Sequence, residues 1–307
     1  MAIKRYALII GAMKSGTTTL FNYLDQHPAI AGASPKEPGF FAFDDVFARG
    51  RDWYEGLFGF DPQRHAWALD GSTDYSKHPF CGDIRARMAE FGDAEFRLIY
   101  LMRHPLRRIE SHARHTQRTR RELGLNDSDR PDHGLDSGIS PVSLAASRYA
   151  EQLDRYRDMV DRGQVMLLTL EQFSADPERH VADVCAFLGL PPPPALERPA
   201  DENRAAERRA RSPWWDRLRK VPGLAPLAKA LLSNDTRRKL ERSTGVKVEI
   251  PGRFKLTPDE EAALIDQLRP DLVRLRDVYG IDVEGLWKIP LDAADAVSPL
   301  PAAAPLP

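Results

Sequence analysis

A chain of 307 residues with 42% hydrophobic and 29% charged side chains has the make-up of a folded globular protein, long enough for one large α/β domain or two small ones. A formal net charge of −1 gives no global attraction to nucleic acid or acidic surfaces, and the two cysteines, Cys81 and Cys185, stand too far apart to suggest a disulfide framework or a zinc site. No segment approaches the roughly 18 apolar residues of a membrane span, and the first apolar run is too short for a signal peptide, so the expected compartment is the cytoplasm.

Residues 6–28 read YALIIGAMKSGTTTLFNYLDQHP. Ala7, Leu8, Ile9 and Ile10 predict a buried strand, the run from Gly11 to Gly16 a loop, and Leu20, Phe21 and Leu24 at helical spacing a helix from Thr17. A glycine loop between strand and helix turns backbone N–H groups inward and adds the positive end of the helix dipole, which makes a phosphate cradle. The nucleoside-triphosphatase loop reads G-x-x-x-x-G-K-[ST]. Here Gly11 and Gly16 keep the spacing, but Thr17 and Thr18 follow, and the lysine, Lys14, stands inside the loop. The string K-S-G-T-T-x-L after a first strand resembles the 5′-phosphosulfate loop of the sulfotransferases, which use 3′-phosphoadenosine-5′-phosphosulfate (PAPS). The resemblance implies that Lys14, Ser15, Gly16, Thr17 and Thr18 bind this donor and that Lys14 also acts in catalysis. The blander reading is a strand-to-helix turn capped by Ser and Thr hydroxyls.

A second short strand is predicted over 29–33, then a loop in which Glu37 is stiffened by Pro35 and Pro38. E-x-x-F-F at Glu37–Phe41 resembles the catalytic-base segment of the heparan-sulfate-type sulfotransferases, which makes Glu37 the expected base, with Phe40 and Phe41 as neighbours that desolvate it. Without the resemblance Glu37 is a surface charge in a turn. Residues 51–58 predict a helix whose aromatic face is core. Residues 67–75 predict a strand and a polar loop. The family often has E-K-[ST]-P-x-Y here, with a lysine that meets the sulfuryl group; this chain has Asp70 and Gly71, which leaves Ser72, Thr73, Tyr75 or Lys36 to replace it.

A helix is predicted over 84–91 and a buried strand over 96–102, leading into Arg103-His104-Pro105-Leu106-Arg107-Arg108-Ile109-Glu110-Ser111. Pro105 suits a first helical turn, and Arg103 falls at the carboxyl end of a strand, where open α/β sheets bind ligands. R-x-P-x-x-R-x-x-S resembles the family's 3′-phosphate motif, with Arg103 and Ser111 as ligands; a guanidinium fork suits phosphate. Arg107 and Arg108 read as a solvated helix face or as salt-bridge partners. No Asp closes this strand, so the usual magnesium-holding partner is missing and no metal is expected.

Residues 124–140 read as a polar, mobile loop near the acceptor. A helix follows over 143–162 with Leu153, Tyr156 and Val160 inward, then a strand over 165–170 and a helix over 175–188 stopped by Gly189. Residues 198–250 read as a basic helical insertion, densest at 204–220. It is a solvated face, or it contacts an anionic acceptor such as a polysaccharide or a lipid headgroup; no base-reading module points to nucleic acid. In the family a late Gly-Arg pair closes over the nucleotide, which nominates Gly252 and Arg253. A capped helix over 257–268 and a packed segment to residue 287 precede a Pro/Ala-rich tail, 288–307, expected to be disordered.

Alternating strands and helices predict an α/β fold: a P-loop-type parallel sheet flanked by helices in a single domain over 1–287. The resemblance implies transfer of a sulfuryl group from PAPS to a hydroxyl or amine of a carbohydrate, lipid or small-molecule acceptor. Two other readings remain: a P-loop nucleotide kinase or hydrolase, and a non-catalytic module that binds nucleotide or polyanion. The rival bases are histidines. His27 and His78 each precede a proline, which suits a turn, and His104 and His112 flank the Arg103–Ser111 motif.

Overall fold

Five apolar runs become the strands of one sheet: β1 (Arg5–Gly11), β2 (Ile30–Gly32), β3 (Trp67–Asp70), β4 (Glu95–Met102) and β5 (Val165–Thr169). The computed structural model describes residues 2–122, 139–193, 196–197 and 254–291. Gly252, Arg253, the basic stretch 198–250, most of the loop expected over 124–140 and the tail from 292 lie outside the described residues.

The strand order is β2-β3-β1-β4-β5, every pairing is parallel, and β1 lies at the centre. A parallel sheet is covered on both faces, so its strands read as nearly continuous apolar runs rather than as an alternation with polar residues. The alternation shows instead in which layer each side chain joins. Tyr6, Leu8, Ile10, Leu98, Tyr100 and Met102 pack into one layer, and Ala7, Ile9, Leu69, Ile99 and Leu101 into the other.

The first helices in chain order are α1 (Thr17–Leu24), α2 (Asp44–Phe47), α3 (Arg51–Glu55), α4 (Ile84–Ala89) and α5 (Pro105–Glu122). Then come α6 (Pro141–Ala145), α7 (Tyr149–Asp154), α8 (Arg157–Asp161), α9 (Leu170–Ala175) and α10 (Pro177–Phe187). A long C-terminal helix, Pro258–Tyr279, starts at a capping box of Thr257 and Glu260, and a short helix, Val283–Trp287, follows it. Leu20 and Leu24 of α1 join Val181 and Val184 of α10 on one face of the sheet. The aromatic face at 51–58 is core, as expected: Tyr54 stacks on Phe40 with centroids 4.3 Å apart.

Three expectations change. The helix expected over 143–162 is three short ones, because Arg148 and Tyr156 leave helical geometry and a carboxylate from the C-terminal helix caps the start of α7. Phe40 and Phe41 go into the aromatic core, at 1% and 0% exposure, while the Glu37 side chain stays 41% exposed. Packing also continues past residue 287, since Ile289 and Leu291 are buried. Among the described residues no helix is long and apolar enough to cross a membrane.

Candidate active site

The loop after β1 is shaped by backbone that turns left-handed twice, at Lys14 (φ 72°) and at Gly16 (φ 87°). Such a turn gathers successive N–H groups into an anion-binding hollow. Gly16 is required on two counts, its positive φ and its surroundings: a Cβ there would stand 2.6 Å from Leu170 Cδ1. Gly16 then begins α1 with no side-chain cap, so the first N–H groups of the helix remain for a ligand. The blander reading, a helix start capped by a Ser or Thr hydroxyl, therefore fails. Ser15 is fully buried, and its Oγ has no hydrogen-bond partner among the described residues. A buried hydroxyl without a partner beside an uncapped helix start fits a bound phosphate group.

Two arginines from the β4–α5 segment hold this loop from behind. Arg103 Nη1 donates to the Lys14 carbonyl at 3.2 Å, and Arg108 Nη1 lies 3.5 Å from the Met13 carbonyl. With the Met13 carbonyl turned toward Arg108, the planar peptide aims the Lys14 N–H the opposite way, off α5. Arg103 is half-buried, its own carbonyl accepts from Tyr149 Oη at 2.7 Å, and burial holds its guanidinium below the ordinary value. Ser111 is partly buried farther along α5.

Arg107 and Arg108 separate. Arg107 is exposed and pairs with Glu110 and Glu261, as a solvated face requires. Arg108 contradicts that reading: it is fully buried, with Nε 2.8 Å and Nη2 2.6 Å from Ser147 Oγ and Nη2 3.0 Å from Ser143 Oγ. Nη2 also donates to the Ser143 carbonyl. One turn further on, His112 is buried and held down to about 3, first by desolvation and then by Arg108, Lys77, His115 and Lys14. Burial also lowers His104, whose ring lies 6.5 Å from that of Trp287. The His104 N–H and Trp287 Nε1 donate to the two oxygens of Glu171, a structural clasp. His27 is a buried turn residue whose Nδ1 accepts from the Ala29 N–H.

Glu37 stands on the opposite flank of the loop, after β2. Lys36 Nζ donates to its Oε1, Thr73 Oγ1 lies 3.4 Å from Oε2, and the side chain is 41% exposed. Lys36 Nζ also donates to the Gly71 carbonyl at 3.2 Å. The Lys36 chain fills the space beside residue 71, where a Cβ would stand 3.0 Å from Lys36 Cε. An ammonium group is thus present beside Gly71 although residue 71 carries no side chain.

What fixes this flank is Asp70, which in the sequence is only a departure from the family pattern. It is fully buried at the end of β3 and accepts from Tyr54 Oη (2.9 Å), Tyr75 Oη (2.6 Å), Ser72 Oγ (2.6 Å) and the Ser72 N–H (2.8 Å). Burial raises this carboxyl, and the donors pull the other way. The same hydroxyls reach the Glu37 loop: Ser72 Oγ accepts from the Gly39 N–H at 2.9 Å and Tyr75 Oη from the Phe41 N–H at 3.3 Å. Strand order then separates the roles. β1 carries the phosphate loop, β3 and β2 on one side bring Thr73, Lys36 and Glu37, and β4 on the other brings Arg103 and Ser111. All stand at the carboxyl edge of the sheet.

Residues 62–194 match the model of the sulfotransferase family, a span that includes Asp70, Arg103 and Ser111 but not the phosphate loop or Glu37. Heparan sulfate glucosamine 3-O-sulfotransferase 6 of Mus musculus is 31% identical over 195 residues, which cover 60% of this chain and 52% of that protein. Heparan sulfate glucosamine 3-O-sulfotransferase 3A1 of Homo sapiens is 27% identical over 190 residues, covering 60% of this chain and 44% of that protein. The chain spans about half the length of the curated relatives it matches. The crystal structure of a sulfotransferase from Alicyclobacillus acidocaldarius superposes with a TM-score of 0.61 at 24% identity, covering 92% of this chain and 98% of that one.

Proposed function

From the match of residues 62–194 to the sulfotransferase family model and the likeness to the heparan sulfate 3-O-sulfotransferases, we propose that the chain is a sulfotransferase that transfers a sulfuryl group from PAPS to a hydroxyl or amine of a carbohydrate, lipid or small-molecule acceptor. The observation that carries the reading is the phosphate loop itself, with its uncapped helix start and the unpartnered Ser15 hydroxyl. In this proposal Lys14, Ser15, Gly16, Thr17 and Thr18 bind the 5′-phosphosulfate, Arg103 and Ser111 the 3′-phosphate, and Gly252 and Arg253 close over the nucleotide.

The transfer breaks the bond between sulfur and the phosphate oxygen, forms one between sulfur and the acceptor atom, and sends the acceptor proton to Glu37. Lys36 and Thr73 hold the Glu37 carboxylate while its exposed side faces the acceptor. Lys14 and the loop N–H groups meet the charge that grows on the leaving phosphate oxygen, and an interaction that strengthens during reaction is the kind that raises turnover. The reading needs no metal and carries with it a cytoplasmic location, where activated sulfate is made. The acceptor of the mouse and human relatives is, by their names, a glucosamine of heparan sulfate; a carbohydrate acceptor here is an extension from them.

The test is Glu37→Gln, which keeps shape and removes the basic oxygen. Affinity for 3′-phosphoadenosine 5′-phosphate (PAP), measured by calorimetry, should stay near wild type, while turnover falls by about 10²–10⁴, the usual contribution of a positioned base. Turnover within a few-fold of wild type would return the search to the histidines. Tighter binding of ATP with magnesium than of PAPS without it would favour a kinase.

A further inference from the structure

Burying a guanidinium is costly unless an opposite charge accompanies it. Two partly buried arginines elsewhere have such a partner: Arg51, with 29% of its side chain exposed, pairs with Glu55, and Arg87, at 14%, with Asp44. Arg108 does not. It is 0% exposed and has no carboxylate partner among the described residues. Its partners are two serine hydroxyls and the carbonyls of Ser143 and Met13. Neutral oxygens satisfy its N–H groups and leave its charge uncancelled. Lys14, Lys77 and His115 act on the neutral His112 one turn beyond Arg108, and Lys77 is itself paired with Asp74. Arg108 therefore brings a positive charge, without a carboxylate partner among the described residues, up to the backbone of the phosphate loop at Met13.

We propose that Arg108 is the buried counter-charge of the donor nucleotide: it fixes the phosphate loop through the Met13 carbonyl and supplies positive potential from behind it without touching the ligand. This rests on the reading of the loop as a PAPS site. Arg108 is a positioning residue in this scheme, and a polyanion in the loop offsets its desolvation. Low permittivity around a buried charge makes its field reach farther than that of a solvated surface arginine.

A field acts in proportion to ligand charge, whereas a packing role does not. The experiment compares wild type, Arg108→Met and Arg108→Lys against PAP, AMP and adenosine, with calorimetry for the nucleotides and NMR titration for adenosine. Arg108→Met should weaken PAP on the order of 10²-fold and AMP about tenfold, and leave adenosine within about twofold. Arg108→Lys keeps the charge and should hold PAP within about tenfold of wild type. The donor-free melting temperature of Arg108→Met should be no lower than that of wild type. Equal losses for all three ligands, or a lowered melting temperature with PAP affinity unchanged, would overturn the role. Should Arg108→Met fail to fold, Arg108→Lys decides alone: parallel loss of PAP and adenosine sinks the proposal, and retained PAP affinity supports it. Wild type that fails to bind PAP would instead sink the donor reading itself.

Discussion

Asp271 lies on the long C-terminal helix yet works for α7: its Oδ1 accepts from the Glu151 N–H at 2.8 Å and its Oδ2 from the Ala150 N–H at 3.1 Å. The carboxyl is 7% exposed, and burial raises it from 3.8 to about 7, against the pull of those two N–H groups and Arg274. The folded protein therefore keeps this proton to near neutrality, while the unfolded chain releases it near the ordinary aspartate value of about 3.9. Between those limits the folded state binds more protons. The stability owed to this group is full below the lower limit and is lost as pH rises through the upper one. The slope is about 1.4 kcal/mol per pH unit, and over about three units it amounts to about 4 kcal/mol. Asp271→Asn keeps the shape and one carbonyl acceptor but does not titrate. Loss of the second acceptor costs roughly 1 kcal/mol, independent of pH. Urea unfolding of both proteins, followed by circular dichroism from about pH 4.5 to 8, reads the difference directly. The variant should gain on wild type by about 1.4 kcal/mol per unit up to about pH 7 and then level off. A difference that stays constant with pH, or runs the other way, would refute the reasoning.

The other predictions concern the donor site. Arg103→Ala should weaken PAPS more than adenosine 5′-phosphosulfate, which lacks the 3′-phosphate, by about the 1.5–3 kcal/mol of a charge-assisted hydrogen bond. Both donors should lose some affinity as well, since Arg103 also holds the Lys14 carbonyl; identical losses for the two would remove the 3′-phosphate role. Lys14→Ala should lower turnover more than PAP affinity, and a variant that loses PAP while keeping its turnover number would show the opposite. PAPS binding and transfer should persist in EDTA, with strict dependence on magnesium counting against sulfuryl transfer without a metal.

Features carried by neighbouring residues were legible in the sequence. An apolar run, Gly11, Gly16 and helical spacing after Thr17 sufficed to place β1, the phosphate loop and α1, because strand, turn and helix are each set within a few residues. The same holds for β4 running into Arg103 and for Pro105 at the first turn of α5. Whether a polar side chain is solvated or buried is a different kind of question. Arg107 and Arg108 are adjacent and chemically identical, and only the second finds Ser143 and Ser147, brought to it from beyond the loop after α5. Asp70 is a framework carboxylate because Tyr54 and Tyr75 reach it, and Lys36 takes up the space beside Gly71 because the β2 loop folds over the end of β3. α7 exists as a separate helix because Asp271, 121 residues away, meets its first N–H groups. Periodicity reports which side of an element is apolar; the fate of a buried charge depends on partners that only the folded chain assembles, and those partners shape this site from behind.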